Sequence, residues 1–347
     1  MQAIQFSEFG VTPTLVEVPR PACPPRGAII RVEATGLCRS DWHGWMGHDR
    51  DIQLPHVPGH EFAGVVDEVG DEVTGWSVGE RVTVPFICAC GACPQCLSGN
   101  HQVCDHQVQP GFTQWGSFAE FVSIAEADVN LVALPDALDF VSAAGLGCRF
   151  STAYRAVVAQ GGVQEGQWVA VHGCGGVGLS AIMIALAAGA RVIGIDPSPR
   201  AREAAAELGA LVIDSGREGA DIPVEVRRLS DGGAHLSLDA YGSATTCTNS
   251  IRSLRKRGRH VQVGLMLAEH ALAAVPMDLV IANELEIVGS HGMAAHEYPP
   301  MLEAIASGRL DPPVLVGRTI PLAEAGEALA TMDAPGAAGM TIISMGM

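Results

Sequence analysis

A glycine-rich turn between a strand and a helix constrains the fold of this chain more than any other feature of its sequence. The apolar run Trp168–His172 leads into residues 173–178, Gly-Cys-Gly-Gly-Val-Gly, which are followed by a helical run and a second apolar run over 191–195. This order of strand, glycine turn, helix and strand is one βαβ unit, whose two strands are parallel. Similar alternation continues to about residue 290, which predicts a doubly wound parallel sheet.

The turn itself has the composition of a phosphate-binding loop. Gly173, Gly175 and Gly178 fit the pattern G-x-G-x-x-G, with Gly176 and Val177 inside it. Glycines allow a tight turn and let the backbone approach a pyrophosphate, while the helix N-terminus offers free N–H groups to the phosphates. The sequence therefore predicts a dinucleotide cofactor at this turn.

An acidic residue after the second strand bears on which dinucleotide is bound. Asp196 stands where a carboxylate accepts hydrogen bonds from the adenine ribose and repels a 2′-phosphate, which favours NAD over NADP. Arg200 and Arg202 follow closely and could pair with a phosphate, so use of NADP is the open alternative.

The sequence outside this region shows a different pattern of apolar residues. The first 130 residues contain short apolar runs separated by glycine and proline, such as 27–32, Phe62–Val69 and 81–86, which are typical of β-structure. After about residue 290 the alternation ends, and a helix over 297–307 and a strand over 341–344 are expected. The 347 residues are thus expected to form two domains.

Charge and hydropathy exclude some classes of function. The net charge of -17 and the single short basic run at 255–257 oppose nucleic-acid binding. No stretch reaches the roughly 20 uncharged apolar residues that a membrane helix needs. Glu8 interrupts the N-terminal segment where a signal peptide is apolar, so we expect a cytoplasmic protein with no membrane partner.

Four of the ten cysteines are concentrated in one short segment. Cys90, Cys93, Cys96 and Cys104 fall within fifteen residues, and four thiolates at this spacing suit tetrahedral zinc. Such a site is closed, so its predicted role is structural. Cys88 lies too near to Cys90 for both to bind one ion comfortably and is left out of the set.

Two further cysteines and a histidine stand in separate short motifs. Cys38, His60 and Cys148 would form a catalytic type of zinc site, with three protein ligands and one open position. Spacing alone does not group them, because a single histidine in a β-rich segment is more often a structural polar residue.

A family resemblance supplies the grouping. The sequence resembles the zinc-dependent alcohol dehydrogenases of the medium-chain dehydrogenase/reductase family along essentially its whole length. The motifs that carry the resemblance are Gly-Leu-Cys-Arg-Ser-Asp-x-His at 36–43, Pro-Gly-His-Glu-Phe-Ala-Gly at 58–64, the four-cysteine loop, Leu-Gly-Cys at 146–148 and the glycine turn at 173–178.

The resemblance implies an α/β fold with a GroES-like β-rich catalytic domain split by a Rossmann domain. The catalytic domain would comprise residues 1–148 and 291–347, and the NAD-binding domain residues 149–290. A homo-oligomer is implied as well, with a tetramer favoured and a dimer as the alternative.

The resemblance also assigns roles to single residues. Cys38, His60 and Cys148 would hold the catalytic zinc, with the Glu61 carboxylate beside it, so that each chain carries two zinc ions. Ser40 would hydrogen-bond the alcohol, and His43 would end a proton relay.

Two positions depart from what the family usually shows. Arg39 matches a residue that pairs with the cofactor pyrophosphate, but a second arginine often found near the C-terminus is missing at 339–341. The residue after Asp41 is Trp42, which is bulkier than usual and is expected to narrow the pocket.

These features predict a zinc-dependent oxidoreductase that transfers a hydride between a primary or secondary alcohol and NAD, giving an aldehyde or ketone, and catalyses the reverse reduction. A dehydrogenase of polyols or another specialised alcohol on the same scaffold is one alternative. A catalytically silent cofactor-binding or regulatory protein is another, although Ser40 and His43 are both present.

Overall fold

The computed structural model describes residues 1–332 and 339–347, except for the side chains of residues 268 and 269. The chain divides into two compact units, Met1–Ser151 with Gly292–Met347, and Thr152–His291. The predicted domain boundaries, after residues 148 and 290, fall three residues and one residue before these. None of the described helices is both long and apolar enough to cross a membrane.

The first unit is built on a mixed seven-stranded sheet with a separate hairpin, β1–β2. Its strands are β1 (Gln2–Gln5), β2 (Thr14–Glu17), β3 (Ala28–Leu37), β4 (Phe62–Val69), β5 (Arg81–Thr83), β6 (Phe121–Ile124), β7 (Val132–Ala133), β14 (Val316–Pro321) and β15 (Met340–Ser344). The sheet order is β14-β15-β3-β4-β5-β7, and β6 also pairs with β3. Apolar side chains such as Ile30, Phe62 and Val122 form its core.

The second unit contains a six-stranded sheet in which every neighbouring pair is parallel. Its strands are β8 (Trp168–His172), β9 (Arg191–Asp196), β10 (Leu211–Asp214), β11 (Ala234–Asp239), β12 (Leu254–Gln262) and β13 (Glu286–Gly289). Their order, β10-β9-β8-β11-β12-β13, is that of a dinucleotide-binding doubly wound sheet, and the strand order reverses between β8 and β11. The predicted fold class is confirmed.

Twelve α-helices accompany these strands in the described part of the chain. They are α1 (Arg39–Trp45), α2 (Pro94–Leu97), α3 (Ala127–Asn130), α4 (Phe140–Ala144), α5 (Arg149–Arg155), α6 (Gly176–Ala187), α7 (Pro199–Glu207), α8 (Ile222–Leu229), α9 (Ala244–Arg252), α10 (Met277–Asn283), α11 (Tyr298–Ala306) and α12 (Ala325–Ala330). Shorter turns are 3₁₀ segments at His101–Val103, Gly145–Gly147, Ala268–Ala271, Ala295–Glu297, Pro312–Leu315 and Leu322–Glu324, and a π-helical turn at Ala156–Gln160.

Local sequence explains why the main elements form. Helix α6 is apolar on all sides, as a helix buried against a sheet must be. Helix α7 is capped by Ser198, whose hydroxyl accepts from the Ala201 N–H. Pro199 occupies its first position, where the missing N–H of proline costs nothing.

Candidate metal centres and nucleotide-binding loop

Pairing of β3 with β4 brings the first metal group together. The two strands are antiparallel and Thr35 pairs with Phe62, so the residues after the end of β3 lie near those before the start of β4. Cys38 follows β3, and His60 and Glu61 precede β4. All three are buried.

Cys148 joins this group from a separate part of the chain. It follows the 3₁₀ turn Gly145–Gly147, which is held by the Phe86 N–H donating to the Gly147 carbonyl at 2.9 Å. The buried Tyr298 hydroxyl donates to the Leu146 carbonyl at 3.1 Å. The ligand atoms of Cys38, His60, Glu61 and Cys148 then lie within 4.8 Å of one another.

Asp41, in the first turn of α1, orients this group from behind. Its Oδ1 lies 2.8 Å from His60 Nδ1 and accepts from the Gly59 N–H, and its Oδ2 accepts from the Cys38 N–H at 2.9 Å. A carboxylate only accepts, so His60 Nδ1 carries the proton and Nε2 presents its lone pair. That Nε2 is buried and has no hydrogen-bond partner among the described residues, so it fits a metal ligand.

The charges of the group favour a cation. A hydrogen bond from Cys148 holds the pKa of the Cys38 thiol well below its ordinary value, and the same bond raises the pKa of Cys148. Burial acts to lower the pKa of His60, but the Asp41 carboxylate raises it well above its usual range, so that without a metal Nε2 also binds a proton. A metal ion at Nε2 displaces this second proton, while the proton on Nδ1 stays with Asp41. Two soft sulfur atoms and an imidazole nitrogen are donors that suit zinc.

Glu61 is held by a residue that the sequence analysis did not single out. Both of its carboxylate oxygens accept from Arg149, which directly follows Cys148. Burial raises the pKa of Glu61, while the Arg149 charge opposes that rise. Sequence alone offered one weak signal for this pair, an arginine in an otherwise apolar and small-residue segment.

The residues predicted for the proton relay lie on α1. Ser40 Oγ is 3.9 Å from Cys38 Sγ, which places a hydroxyl beside the metal group. His43 lies one helical turn further, and its Nδ1 is 3.0 Å from Nδ1 of the exposed His48, a partner that was not predicted. Arg39 is exposed, and its guanidinium lies 4.2 Å from the centre of the Trp42 ring.

Aromatic rings line the His60 side of the group. Phe112, which the sequence did not indicate, has its ring centre 5.1 Å from that of His60, and Phe86 lies at 6.2 Å. Trp115 donates its indole N–H to the Pro55 carbonyl and is partly exposed.

The four-cysteine loop forms a second, separate group. Cys93 Sγ lies 3.4 Å from Cys96 Sγ and 3.8 Å from Cys104 Sγ, and Cys90 Sγ is 4.0 Å from Cys96 Sγ. Tetrahedral zinc with Zn–S bonds of 2.3 Å requires sulfur atoms about 3.8 Å apart. Cys88 is buried but lies outside the group.

Backbone N–H groups surround these sulfurs. Cys104 Sγ accepts from the Cys90 and His106 N–H groups, both at 3.3 Å. Burial opposes ionisation of Cys93, but the N–H groups of Cys96 and Asp105 lower its pKa to about 6. Burial, in contrast, raises the pKa of Cys96 to about 12 and also raises that of Cys104. Holding all four residues as thiolates, the form in which cysteine binds zinc, therefore requires a cation among them.

In the second unit, the three glycines of the turn have three different reasons to be glycine. Gly173 has a φ of +94°, which side chains rarely adopt. A Cβ on Gly178 would lie 1.8 Å from the Gly173 carbonyl oxygen, so this glycine lets α6 approach β8. A Cβ on Gly175 would meet no described atom within 4 Å, so the space in front of the helix N-terminus is open to a pyrophosphate.

Asp196 lies at the end of β9, next to this turn. Its Oδ2 accepts from the Cys174 N–H and its Oδ1 from the Ser198 N–H, both at 2.8 Å. Arg202 is bound to both oxygens of Asp214 and to the Asp196 carbonyl, whereas Arg200 is exposed in the first turn of α7.

Known proteins resemble the chain over its whole length. A family model described as the alcohol dehydrogenase GroES-like domain matches residues 24–136, and one described as zinc-binding dehydrogenase matches residues 176–307. An alcohol dehydrogenase from Geobacillus stearothermophilus is 32% identical, with 96% of each chain covered. An NAD-dependent alcohol dehydrogenase from Sulfurisphaera tokodaii is 33% identical, also with 96% of each covered. The solved structure of alcohol dehydrogenase TADH from Thermus sp. ATN1 has a TM-score of 0.91 at 33% identity and covers 99% of both chains.

Proposed function

Because the chain belongs to the zinc-dependent alcohol dehydrogenases of the medium-chain dehydrogenase/reductase family, we propose that it oxidises primary or secondary alcohols to aldehydes or ketones with NAD, and catalyses the reverse reduction. The observation that carries this proposal is the buried group of two thiols and one imidazole, whose Nε2 has no partner among the described residues. Three such ligands leave a fourth position for substrate.

Cys38, His60 and Cys148 are proposed to hold the catalytic zinc, and Cys90, Cys93, Cys96 and Cys104 the structural one. When bound, the catalytic zinc lowers the pKa of an alcohol or polarises a carbonyl, and NAD accepts or returns the hydride. Asp41 contributes by fixing the His60 tautomer and ring orientation.

Residues of the chain itself are proposed to carry the proton released by the alcohol to solvent. Ser40 Oγ lies beside Cys38, and a hydroxyl can accept one proton while donating another. His43, one turn along α1, is proposed as the outer relay residue because an imidazole exchanges protons readily near neutral pH. His48, in contact with it and exposed, extends the route towards solvent.

For the cofactor, we propose that residues 149–290 form the NAD-binding domain. The open space at Gly175 supports a pyrophosphate at the α6 N-terminus, with Gly173, Gly176, Val177 and Gly178 completing the turn. Asp196 is proposed to receive the ribose hydroxyls, and Arg39 to pair with the pyrophosphate. Arg200, exposed in the first turn of α7, is the residue through which NADP would be accepted.

A kinetic screen tests the proposed activity. Formation of reduced cofactor is followed for primary, secondary, aryl and polyol substrates with NAD and with NADP. We expect turnover of simple alcohols and a higher kcat/KM for NAD. A preference for polyols would favour the specialised alternative, a preference for NADP would contradict the role of Asp196, and no turnover of any alcohol would favour a silent binding protein.

We also propose that the chain forms a homo-oligomer, with a tetramer favoured. Leu272 is 94% exposed and Ile281 is 75% exposed, and none of the residues of α10 is buried. This apolar stretch precedes β13, the edge strand of the parallel sheet. Analytical ultracentrifugation should give a multiple of 36.1 kDa, reduced by Ile281→Glu but not by Val78→Glu, a matched change at an exposed position of the other unit. A monomeric wild-type protein would contradict the proposal.

A cytoplasmic location is proposed on the chemistry of the cysteines. All ten are free thiols in the structure, and the six that belong to the two metal groups must be reduced to bind zinc. Reducing compartments keep thiols in that state.

A further inference from the structure

Arg149 contacts both carboxylate oxygens of Glu61. Its backbone N–H donates to Oε1 at 2.7 Å, and its Nε lies 2.9 Å from Oε1 and 2.7 Å from Oε2. A terminal guanidinium nitrogen lies 2.5 Å from Oε2. Both side chains are buried, so water does not compete for these bonds.

The same carboxylate is close enough to a metal position to be a ligand. One of its oxygens lies within 4.8 Å of the ligand atoms of Cys38, His60 and Cys148. If Glu61 joined those three residues, zinc would have four protein ligands and the closed coordination of a structural site. An ion and the Arg149 guanidinium therefore compete for one carboxylate.

A glycine next to the ion pair of Glu61 and Arg149 leaves space for both side chains. A Cβ on Gly36, near the end of β3, would lie 2.4 Å from Glu61 Oε2 and 2.6 Å from the Arg149 terminal nitrogen. Any larger residue at this position would push the two side chains apart or out of place. The contact between Glu61 and Arg149 is therefore built by three separate segments: the end of β3, the residues before β4 and the start of α5.

We propose that Arg149 is a positioning residue that holds the Glu61 carboxylate out of the zinc coordination sphere, so that the fourth position stays open to substrate. This inference rests on the proposed function. It assigns Arg149 an indirect role, because the arginine acts through Glu61 and touches neither substrate nor metal.

The test uses the full chain with cobalt(II) in place of the catalytic zinc, since the visible absorption of cobalt reports its ligands. Imidazole is titrated as a probe that binds only at an open position. In Arg149→Met, Glu61 is released to become the fourth ligand, and imidazole must then displace it. The apparent Kd for imidazole should therefore rise at least about ten-fold, the lower end of the range for removing an outer partner at a metal site. The absorption bands before imidazole is added should shift as well.

Three further variants make the test specific. In the double variant Glu61→Gln/Arg149→Met, the imidazole Kd should return to that of Glu61→Gln alone. Gly36→Ala, which keeps both charges and displaces the pair, should shift the Kd in the same direction as Arg149→Met. Arg20→Met removes an exposed arginine paired with Asp67 and Glu68 and should change nothing.

The proposal is overturned if Arg149→Met binds imidazole like wild type, or if its weaker binding persists in the double variant. If Arg149→Met does not fold, an unchanged Kd in Gly36→Ala overturns it instead. Failure of cobalt to bind at Cys38, His60 and Cys148 contradicts the proposed function itself, which separates the two outcomes.

Discussion

At the scale of single residues, Asp41 connects the backbone of one metal ligand to the side chain of another. It accepts from the Cys38 N–H and lies against His60 Nδ1, so one carboxylate fixes both the start of α1 and the imidazole. Partners of this kind raise ligand basicity and hold its geometry.

Asp41→Asn should therefore lower the zinc affinity of the catalytic site by about 10- to 100-fold. The amide is neutral and no longer favours the tautomer whose Nε2 faces the metal. Competition with a chelator of known affinity measures the change. Asp67→Asn, at an exposed ion pair of the same unit, is the control and should leave zinc affinity unchanged. Equal zinc affinities in the two variants would show that Asp41 only stabilises the start of α1.

His43→Gln should lower alcohol oxidation near pH 7 by roughly ten-fold, a little below the usual range for loss of a general base. The deficit should shrink as the pH rises and base becomes abundant, and small buffer bases should partly restore the rate. A pH–rate profile of kcat in several buffers measures this. If the variant keeps the wild-type profile, the proton leaves by another route and His43 is not part of the relay.

Residue patterns indicated part of this site and not the rest. Cys38, His60 and Cys148 stand in short motifs that can be matched one by one, and the structure brings them together. Arg149 has only a weak local signal and Phe112 has none. Their partners Glu61 and His60 lie 88 and 52 positions away in sequence and meet them only through the tertiary fold.

At the scale of elements, strands with a strong local pattern were predicted to the residue. Phe62–Val69 and Trp168–His172 coincide with β4 and β8. Apolar β-branched runs bounded by glycine or a charge explain this accuracy. Helices α9 and α10 were not predicted. Helix α9 is rich in threonine and serine, which favour helices weakly, and depends on the Ser243–Thr246 capping box.

Two glycines of the nucleotide turn should separate stability from cofactor binding. Gly178→Ala places a methyl group against the Gly173 carbonyl and should cost about 1–3 kcal/mol of unfolding free energy, typical of overpacking. In Gly175→Ala the added methyl group meets no described atom, so the free energy of unfolding should fall by less than about 1 kcal/mol, the usual scale for a helix N-cap. The same methyl group should weaken NAD binding.

Chemical denaturation and a titration of NAD on the same samples measure both effects. A Gly175→Ala protein that binds NAD as tightly as wild type would contradict a pyrophosphate at the α6 N-terminus.

The four-cysteine loop should matter for folding more than for chemistry. Cys93→Ser should remove one zinc per chain and lower the free energy of unfolding by more than about 2 kcal/mol, because metal binding is linked to folding. Cys23→Ser, at a half-buried thiol outside both groups, should keep both ions. The zinc content per chain and the thermal unfolding of the two variants are measured side by side. A stable Cys93→Ser protein with unchanged zinc content would contradict the structural site.

At the scale of the whole molecule, the sequence predicted an interrupted first domain, and the structure divides into a unit of two chain segments and a unit between them. The parallel sheet followed from the βαβ pattern, whereas the split of the β-rich part followed only from the family resemblance. Local patterns do not report that the segment from 292 returns to the first unit, because this depends on long-range pairings such as β15 with β3.

The zinc dependence of alcohol-driven NADH formation tests the central claim most directly, in wild type and in Cys148→Ser. The account predicts two zinc ions per wild-type chain with NADH formation, and in the variant one remaining zinc, a folded protein and loss of turnover, since a closed four-cysteine site supplies no open position. Undiminished NADH formation by Cys148→Ser, or by wild-type protein stripped of all zinc, would contradict it.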